Sequence, residues 1–294
     1  MKKNRIDLYY YSGTGNTLLV TRQMAQVFEE NAITVNMHRI EKTDPASIRT
    51  DTTIGLAFPV AFQSTFPFLW DFFRALPKCN GTEVFMVDTM ISFSGAIVGP
   101  LKKMLKRKGY HCIGAKEIVM PSNWFPKNIN EREKEARIEE GKEQARTYAL
   151  DLIQGRSAWR RIQILSDLFY RLCCNDYMMK NVNTAPGRRI AVDRDRCTDC
   201  GLCSRLCPVG NITVNKHPEW SDRCQTCMRC LCFCPAGAVH IANKPFTPYR
   251  AVQARELIEA QRPADRANKP GLESGYVPPP KEDRACAGTG GALT

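Results

Sequence analysis

Residues 9–20 read YYYSGTGNTLLV. Bulky strand-forming residues end at Ser12, a short run of small and polar residues follows, and an apolar helical pattern begins at Thr17. Between strand and helix, Ser12, Gly13, Thr14, Gly15, Asn16 and Thr17 supply hydroxyls, one amide side chain and two glycines. A phosphate fits such a place. The hydroxyls and the first amides of the helix donate to it, and the glycines let the backbone come close. The stretch lacks the lysine of a P-loop and does not complete the dinucleotide glycine pattern. No lysine or arginine occurs between Arg5 and Arg22, so the nest is neutral. That suits a permanently held phosphate monoester better than a triphosphate that arrives with magnesium and leaves. The simpler alternative is a tight turn with a threonine cap.

Outward from this loop, strand-like and helical patterns alternate. Strands are expected at 6–11, 33–40, 53–60, 82–89 and 111–120, with 33–40 the weakest pattern, and helices near 17–30, 66–76, 97–108 and 131–154. Asn130 and Glu133 form a capping pair for the last helix. Lys102, Lys103, Lys106, Arg107 and Lys108 precede Gly109, as cations and a glycine do at a helix C-terminus. Five strands alternating with helices imply a parallel sheet covered on both faces. Ligands of such sheets lie at the carboxyl ends of the strands. The loops there are FPVAFQSTFP (58–67) and DTMISFSGA (88–96).

The SGTGNT loop resembles the phosphate-binding loop of flavodoxins, whose ligand is FMN, and the resemblance spans roughly residues 4–155. It implies that residues Ser12 to Thr17 hold the phosphate. It also implies that Pro59, Val60, Ala61, Phe62, Thr89, Met90, Ser92, Phe93, Ser94 and Gly95 surround the flavin ring. Phe62, Phe93 and Trp124 are the candidates for stacking on the ring; neither loop contains the tyrosine common in flavodoxins. Residues 120–124, MPSNW, match a segment of flavodoxin-like proteins fused to dicluster ferredoxins. The chain as a whole resembles that fusion family, the ferrodoxins, except beyond residue 250.

The ferredoxin part rests on two stretches, RCTDCGLCSRLCPVG (196–210) and RCQTCMRCLCFCPAG (223–237), which coincide at a shift of 27 residues. Each is C-x2-C-x2-C-x3-C-P, the spacing of bacterial two-cluster ferredoxins. Resemblance to those proteins implies crossed ligation: Cys197, Cys200, Cys203 and Cys234 on one [4Fe-4S] cluster, Cys224, Cys227, Cys230 and Cys207 on the other. Pro208 and Pro235 turn the chain away after the last ligands. Gly201 sits where backbone must pass close to a cluster, yet the second unit has Met228 there, so a glycine is not required. Zinc also accepts C-x2-C pairs; two sets of four, each followed by proline, favour clusters. Cys232 reads as a packed thiol. Short strands are expected at 212–214 and 239–241.

The fold expected is therefore an α/β flavodoxin-like five-stranded parallel sheet followed by a small α+β bacterial-type two-[4Fe-4S] ferredoxin domain. Its divisions are 1–155, a helical connector at 156–187, 188–243, and a C-terminal helix with a disordered tail at 244–294. In the connector, Trp159, Ile162, Leu165, Phe169 and Leu172 fall at helical intervals among Arg160, Arg161 and Arg171. That pattern packs between domains more readily than on a membrane surface. No run approaches the roughly 18 apolar residues that span a bilayer. MKKNRIDLYYYSGTG is a first strand rather than a secretion signal, which points to the cytoplasm. Of 14 cysteines, those outside the two cages (Cys79, Cys112, Cys173, Cys174, Cys232 and Cys286) show no ligand spacing. His38, His111, His217 and His240 stand apart and read as structural.

The formal charge of +12 falls by about 2 for each oxidised cluster and about 2 for a flavin phosphate. What remains is modestly basic and, with no recognition motif, gives no reason to expect nucleic acid. The function expected is electron transfer between clusters, FMN and other redox proteins, in an organism that lives with little oxygen. The alternative is an FMN-dependent reductase of a small substrate, with Asp88, Ser92, Ser94 or Ser122 as its acid. A redox sensor or cluster donor is the third reading. No nicotinamide-binding pattern is present, so hydride exchange with NAD(P)H is not expected.

Overall fold

The first strand, β1 (Arg5–Tyr10), is apolar on both faces because both are covered: Ile6, Leu8 and Tyr10 join one core and Tyr9 the other. The computed structural model describes residues 4–61, 63–92, 97–123, 130–159, 190–242 and 246–259. After β1 come α1 (Asn16–Glu30), β2 (Thr34–Arg39), β3 (Thr53–Pro59), α2 (Pro67–Ala75), β4 (Glu83–Met90), α3 (Val98–Arg107), β5 (His111–Val119) and α4 (Glu131–Ile153). The five strands are parallel in the order β2-β1-β3-β4-β5, the flavodoxin-like doubly wound arrangement. Helices α1 and α4 cover one face, α2 and α3 the other. The strand and helix patterns of the sequence thus form where expected, including the weak second strand.

Asp7 interrupts the apolar run of β1 but is not alone. Its carboxylate accepts from Asn36 Nδ2 at 2.8 Å and Thr52 Oγ1 at 2.7 Å, and His38 Nε2 lies at 3.3 Å. Burial pushes the Asp7 pKa up, but the hydrogen bonds from His38, Asn36 and Thr52 outweigh it and hold the group well below the usual range. His38 also stacks on Tyr9, with centroids 4.9 Å apart. His38 thus bonds and packs within the fold although it stands apart in the sequence.

Asn130 and Glu133 close the expected capping box on α4. Helix α3 ends in Lys106 and Arg107, and Gly109 follows at φ 90°. A Cβ at Gly109 would run into the carbonyl oxygen of Cys79, backbone against backbone. Gly81, at φ 79°, has nothing within 4 Å of such an atom. Gly81→Ala is therefore expected to cost only the left-handed strain, about 1 kcal/mol. Gly109→Ala adds an unrelievable clash and is expected to cost at least about 3 kcal/mol. Urea unfolding of the two variants checks the difference.

The cysteine region contains β6 (Ile190–Val192), α5 (Leu202–Leu206), β7 (Ile212–Asn215), β8 (His217–Trp220), α6 (Arg229–Phe233) and β9 (Val239–Ile241). Strand β6 pairs antiparallel with β9, and β7 with β8. The repeat is geometric as well as sequential. Asp199 and Thr226 both have φ 52°, Gly201 and Met228 both 67°, and Gly210 and Gly237 58° and 60°. Met228 thus adopts the left-handed conformation without being glycine, and its buried side chain packs in the core. Leu206, Ile212, Met228, Leu231 and Phe233 share one apolar core with α1 and α4.

After β9 the chain returns to α1 as a strap that ends in α7 (Ala254–Ile258). Trp159 at the start of the connector is buried, its Nε1 donating to Val98 O at 3.1 Å. The connector beyond it with Cys173 and Cys174, Phe62, Phe93, Ser94, Gly95, Trp124, and the tail from residue 260 with Cys286 lie outside the described residues. Among the described residues no helix is long and apolar enough to cross a membrane.

Candidate functional site

The phosphate-type loop folds onto itself before it meets any ligand. Ser12 Oγ accepts from Gly15 N at 3.1 Å and Leu18 N at 3.3 Å, and Thr17 Oγ1 lies 2.8 Å from Thr89 Oγ1. Asn16 Nδ2 donates to Pro121 O at 2.8 Å. Side chains proposed as phosphate donors therefore also brace the loop. Gly15, at φ 115°, precedes helix α1 and offers it no side-chain cap. The opening amides of α1 are of the kind that an anion satisfies.

A cavity opens at the carboxyl edge of the sheet, where ligands of such sheets lie. Ser12, Gly13, Thr14, Asn16, Thr17, Pro59, Val60, Thr89 and Met90 line it, all expected from the sequence. Ile91, Met120, Pro121 and Asn123 line it as well. The last three belong to the MPSNW stretch; Ile91 had no signal beyond its loop and is an exposed large apolar residue. Gly15, Ala61 and Ser92 do not line the cavity: Gly15 packs outward, and Ala61 is engaged in a bridge with Ser64. Ser122 is buried, as is Asp88, which lies below the cavity within β4 rather than in its wall. A neutral, amide-rich loop beside the apolar side chains of Val60, Met90, Ile91 and Met120 suits a flavin phosphate and its ring.

The eight cage cysteines gather into two sets. Cys207, Cys224, Cys227 and Cys230 line one cavity; Cys197, Cys200, Cys203 and Cys234 line another. Each fourth cysteine has crossed to the set of the other unit. Asn211 N donates to Cys207 Sγ at 3.2 Å and Thr226 N to Cys224 Sγ at 3.4 Å, amide-to-sulfur contacts of the type that stabilise thiolates. Burial pushes the thiols of Cys203, Cys224, Cys227 and Cys230 up. Four sulfurs so placed become thiolates only against a compensating cation, a charge that the iron of a bound cluster would supply. Cys232 lines neither cavity; it is buried, and burial raises it to about 12, consistent with a packed thiol. His217 does not stand alone, since its ring lies beside Asp199 and Cys197 at the rim of one set.

The two sets differ in surroundings. All of α6 is buried, whereas in α5 only Leu206 is. The Cys207/224/227/230 set is therefore the inner one, and the other is outer, with Cys200 exposed. A Cβ on Gly13 would lie 3.0 Å from the carbonyl oxygen of Cys227, so the inner cysteine loop rests on the phosphate-type loop.

Sequence reasoning missed the residue that joins them. Arg229, between Cys227 and Cys230, donates to Ser12 O from Nε at 3.0 Å and Nη2 at 2.7 Å, and to Leu206 O from Nη1 at 3.1 Å. Its Nη1 pairs with Glu41 Oε1 at 2.9 Å, both side chains almost fully buried, and its guanidinium lies 4.4 Å from the Tyr11 ring centre. Burial alone would raise the Glu41 pKa, but Arg229 and Arg39 hold it below the usual range. The position equivalent to Arg229 in the first unit is Leu202. A charge standing where the repeat has leucine was the available signal.

Residues 190–213 match the family described as a 4Fe-4S binding domain. No curated protein matches the chain. Among solved structures it is similar to oxidised flavodoxin 2 from Bacillus cereus, at 15% identity and TM-score 0.41 over 51% of this chain and 98% of that one. It is similar to two-electron reduced Megasphaera elsdenii flavodoxin, at 24% and 0.36 over 48% and 98%. General stress protein 14 of Treponema denticola, in complex with FMN, follows at 11% and 0.38 over 51% and 98%. By its own strand order and this family match, the chain joins a flavodoxin-like fold to a ferredoxin-type 4Fe-4S region.

Proposed function

We propose that the chain is an electron-transfer protein holding two [4Fe-4S] clusters and one FMN, and that it passes electrons between a partner redox protein and the flavin. Clusters exchange single electrons and a flavin holds one or two, so the combination converts one traffic into the other. In this reading residues 1–155 hold FMN, 188–243 hold the clusters, 156–187 connect them, and 244–294 form the C-terminal segment. Cys207, Cys224, Cys227 and Cys230 bind the inner cluster; Cys197, Cys200, Cys203 and Cys234 bind the outer one, where exposed Cys200 faces the partner. Ser12 to Thr17 take the phosphate, and Pro59 to Phe62 with Thr89, Met90 and Ser92 to Gly95 take the ring.

The observation that carries this is the seating of the Cys227 carbonyl on Gly13. A ferredoxin module tethered for convenience has no need to press one cysteine loop onto a phosphate loop. The test is anaerobic: reconstitute the chain, reduce its iron centres with a photochemical donor, and follow flavin absorbance. Bleaching should proceed at a rate independent of protein concentration. A rate that scales with protein concentration, or no bleaching, rejects an internal relay.

A further inference from the structure

The loop Ser12 to Thr17 is held by Pro121 and Thr89 of its own half, and from Ser12 to Asn16 it is also gripped by the iron-binding half or the strap behind it. Arg229 holds the Ser12 carbonyl with two N–H groups. Ala251 N donates to Thr14 O at 2.8 Å, and Tyr249 OH donates to Asn16 Oδ1 at 2.6 Å. Gly15 has no room for a Cβ, which would meet Val252 N at 2.8 Å. The strap is itself pinned, with Glu256 paired to Arg22 and Ile258 O accepting from Arg39. Arg39 returns to Glu41, the counterion of Arg229.

These contacts set the direction of the loop amides. In a trans peptide the C=O and the following N–H point opposite ways, so holding Ser12 O fixes the Gly13 N–H, and holding Thr14 O fixes the Gly15 N–H. The latter donates to Ser12 Oγ. Arg229 lies between Cys227 and Cys230 in the same short loop and helix, so its position is tied to what those thiols bind.

We propose that flavin-phosphate binding and inner-cluster assembly are reciprocally coupled through Arg229 and the 249–252 strap, with Arg229 as a positioning residue. The inference rests on the assignment of FMN and the inner cluster made above. Loss of the inner cluster loosens the Cys227–Cys230 loop, frees Arg229 from Ser12 O, and lets the phosphate loop lose its amide orientation. Linkage requires the converse: FMN stabilises the inner cluster by the same factor.

The test titrates FMN, by quenching of its fluorescence, into the full chain reconstituted with iron and sulfide and into the same chain stripped of iron. Stripping should weaken FMN binding at least about tenfold, within the usual range of coupling. Reconstituted Arg229→Gln should show a similar loss, with iron content reporting whether its clusters have formed. Tyr249→Phe removes one strap bond while keeping the ring, and should weaken FMN severalfold with iron content unchanged. In equilibrium competition with an iron chelator, FMN should raise iron retention in wild type and not in Arg229→Gln. A wild-type chain that binds iron and FMN with the same FMN Kd in both states overturns the coupling alone. A reconstituted chain that takes up no FMN overturns both the coupling and the relay.

Discussion

Cys207→Ala is expected to remove the cluster of the other repeat, not that of its own. Cys207 belongs by sequence to the first unit but lines the cavity of Cys224, Cys227 and Cys230. With the two cubanes proposed above, iron content should fall by about half. Double variants decide the pairing without any spectral assignment. Cys207→Ala combined with Cys224→Ala should lose no more iron than either alone, because both residues serve one cluster. Cys207→Ala combined with Cys203→Ala should lose nearly all of it. Pairing within each unit predicts the reverse of both results. A further consequence separates inner from outer. Cys207→Ala should abolish internal flavin reduction, whereas Cys234→Ala, which strikes the outer set, should leave transfer from the inner cluster intact. Equal loss of flavin reduction in both variants would mean that the two sets do not stand in series as their burial indicates.

Much of this arrangement is legible in the sequence because its causes are local. Periods of two and of 3.6 place β1 to β5 and α1 to α4 within a residue or two of their observed limits. A glycine-and-hydroxyl run marks the phosphate-type loop, and the cysteine spacing marks both cages. The resemblance to two-cluster ferredoxins also anticipates the crossing that the cavities display. Other features depend on distant partners, and spacing says nothing about those. That Ser12 also braces its own loop shows only when Gly15 N and Leu18 N are seen to donate to its oxygen. Glu41 looks like a surface acid until Arg39 and Arg229 converge on it. Residues 249–258 carry no motif, yet they wall the phosphate loop.

Which cage faces inward was nonetheless written in the difference between the repeats. The first unit has LCSRL where the second has RCLCF. Serine and arginine on the first helix keep one side of it in water. Leucine, cysteine and phenylalanine on the second leave it no wet side, and the structure buries it whole. The arginine that opens the second helix then needs partners inside the protein, because a buried guanidinium without them is prohibitively costly. Glu41, Ser12 and Leu206 are those partners. Comparing paired positions for a change of polarity therefore locates an interface that neither copy reveals alone.

Asp88→Asn is expected to stabilise the chain increasingly as pH rises. Asp88 is fully buried in β4, and among the described residues neither of its carboxylate oxygens has a hydrogen-bond partner. Glu117 stands opposite on β5, itself with one unpartnered oxygen, while β3 offers only Phe58 in register. From α4, Tyr148 gives its hydroxyl to Met86 O instead. Burial first, and the Glu117 charge second, push the Asp88 pKa well above the ordinary carboxylate range. The native state therefore binds a proton that the unfolded chain releases near pH 4. This contribution to stability is intact below that pH and is lost as pH climbs toward the folded-state value, at up to about 1.4 kcal/mol per unit. An amide cannot ionise, so the variant escapes the loss. Asp7, whose pKa moves the opposite way, shapes the wild-type and variant curves alike and cancels in their difference. Thermal midpoints of the two chains, loaded identically and compared from about pH 5 to about pH 8, should diverge in favour of the asparagine. A difference that stays constant across that range would mean that Asp88 is ionised in the folded protein, and that its partner lies beyond the residues described.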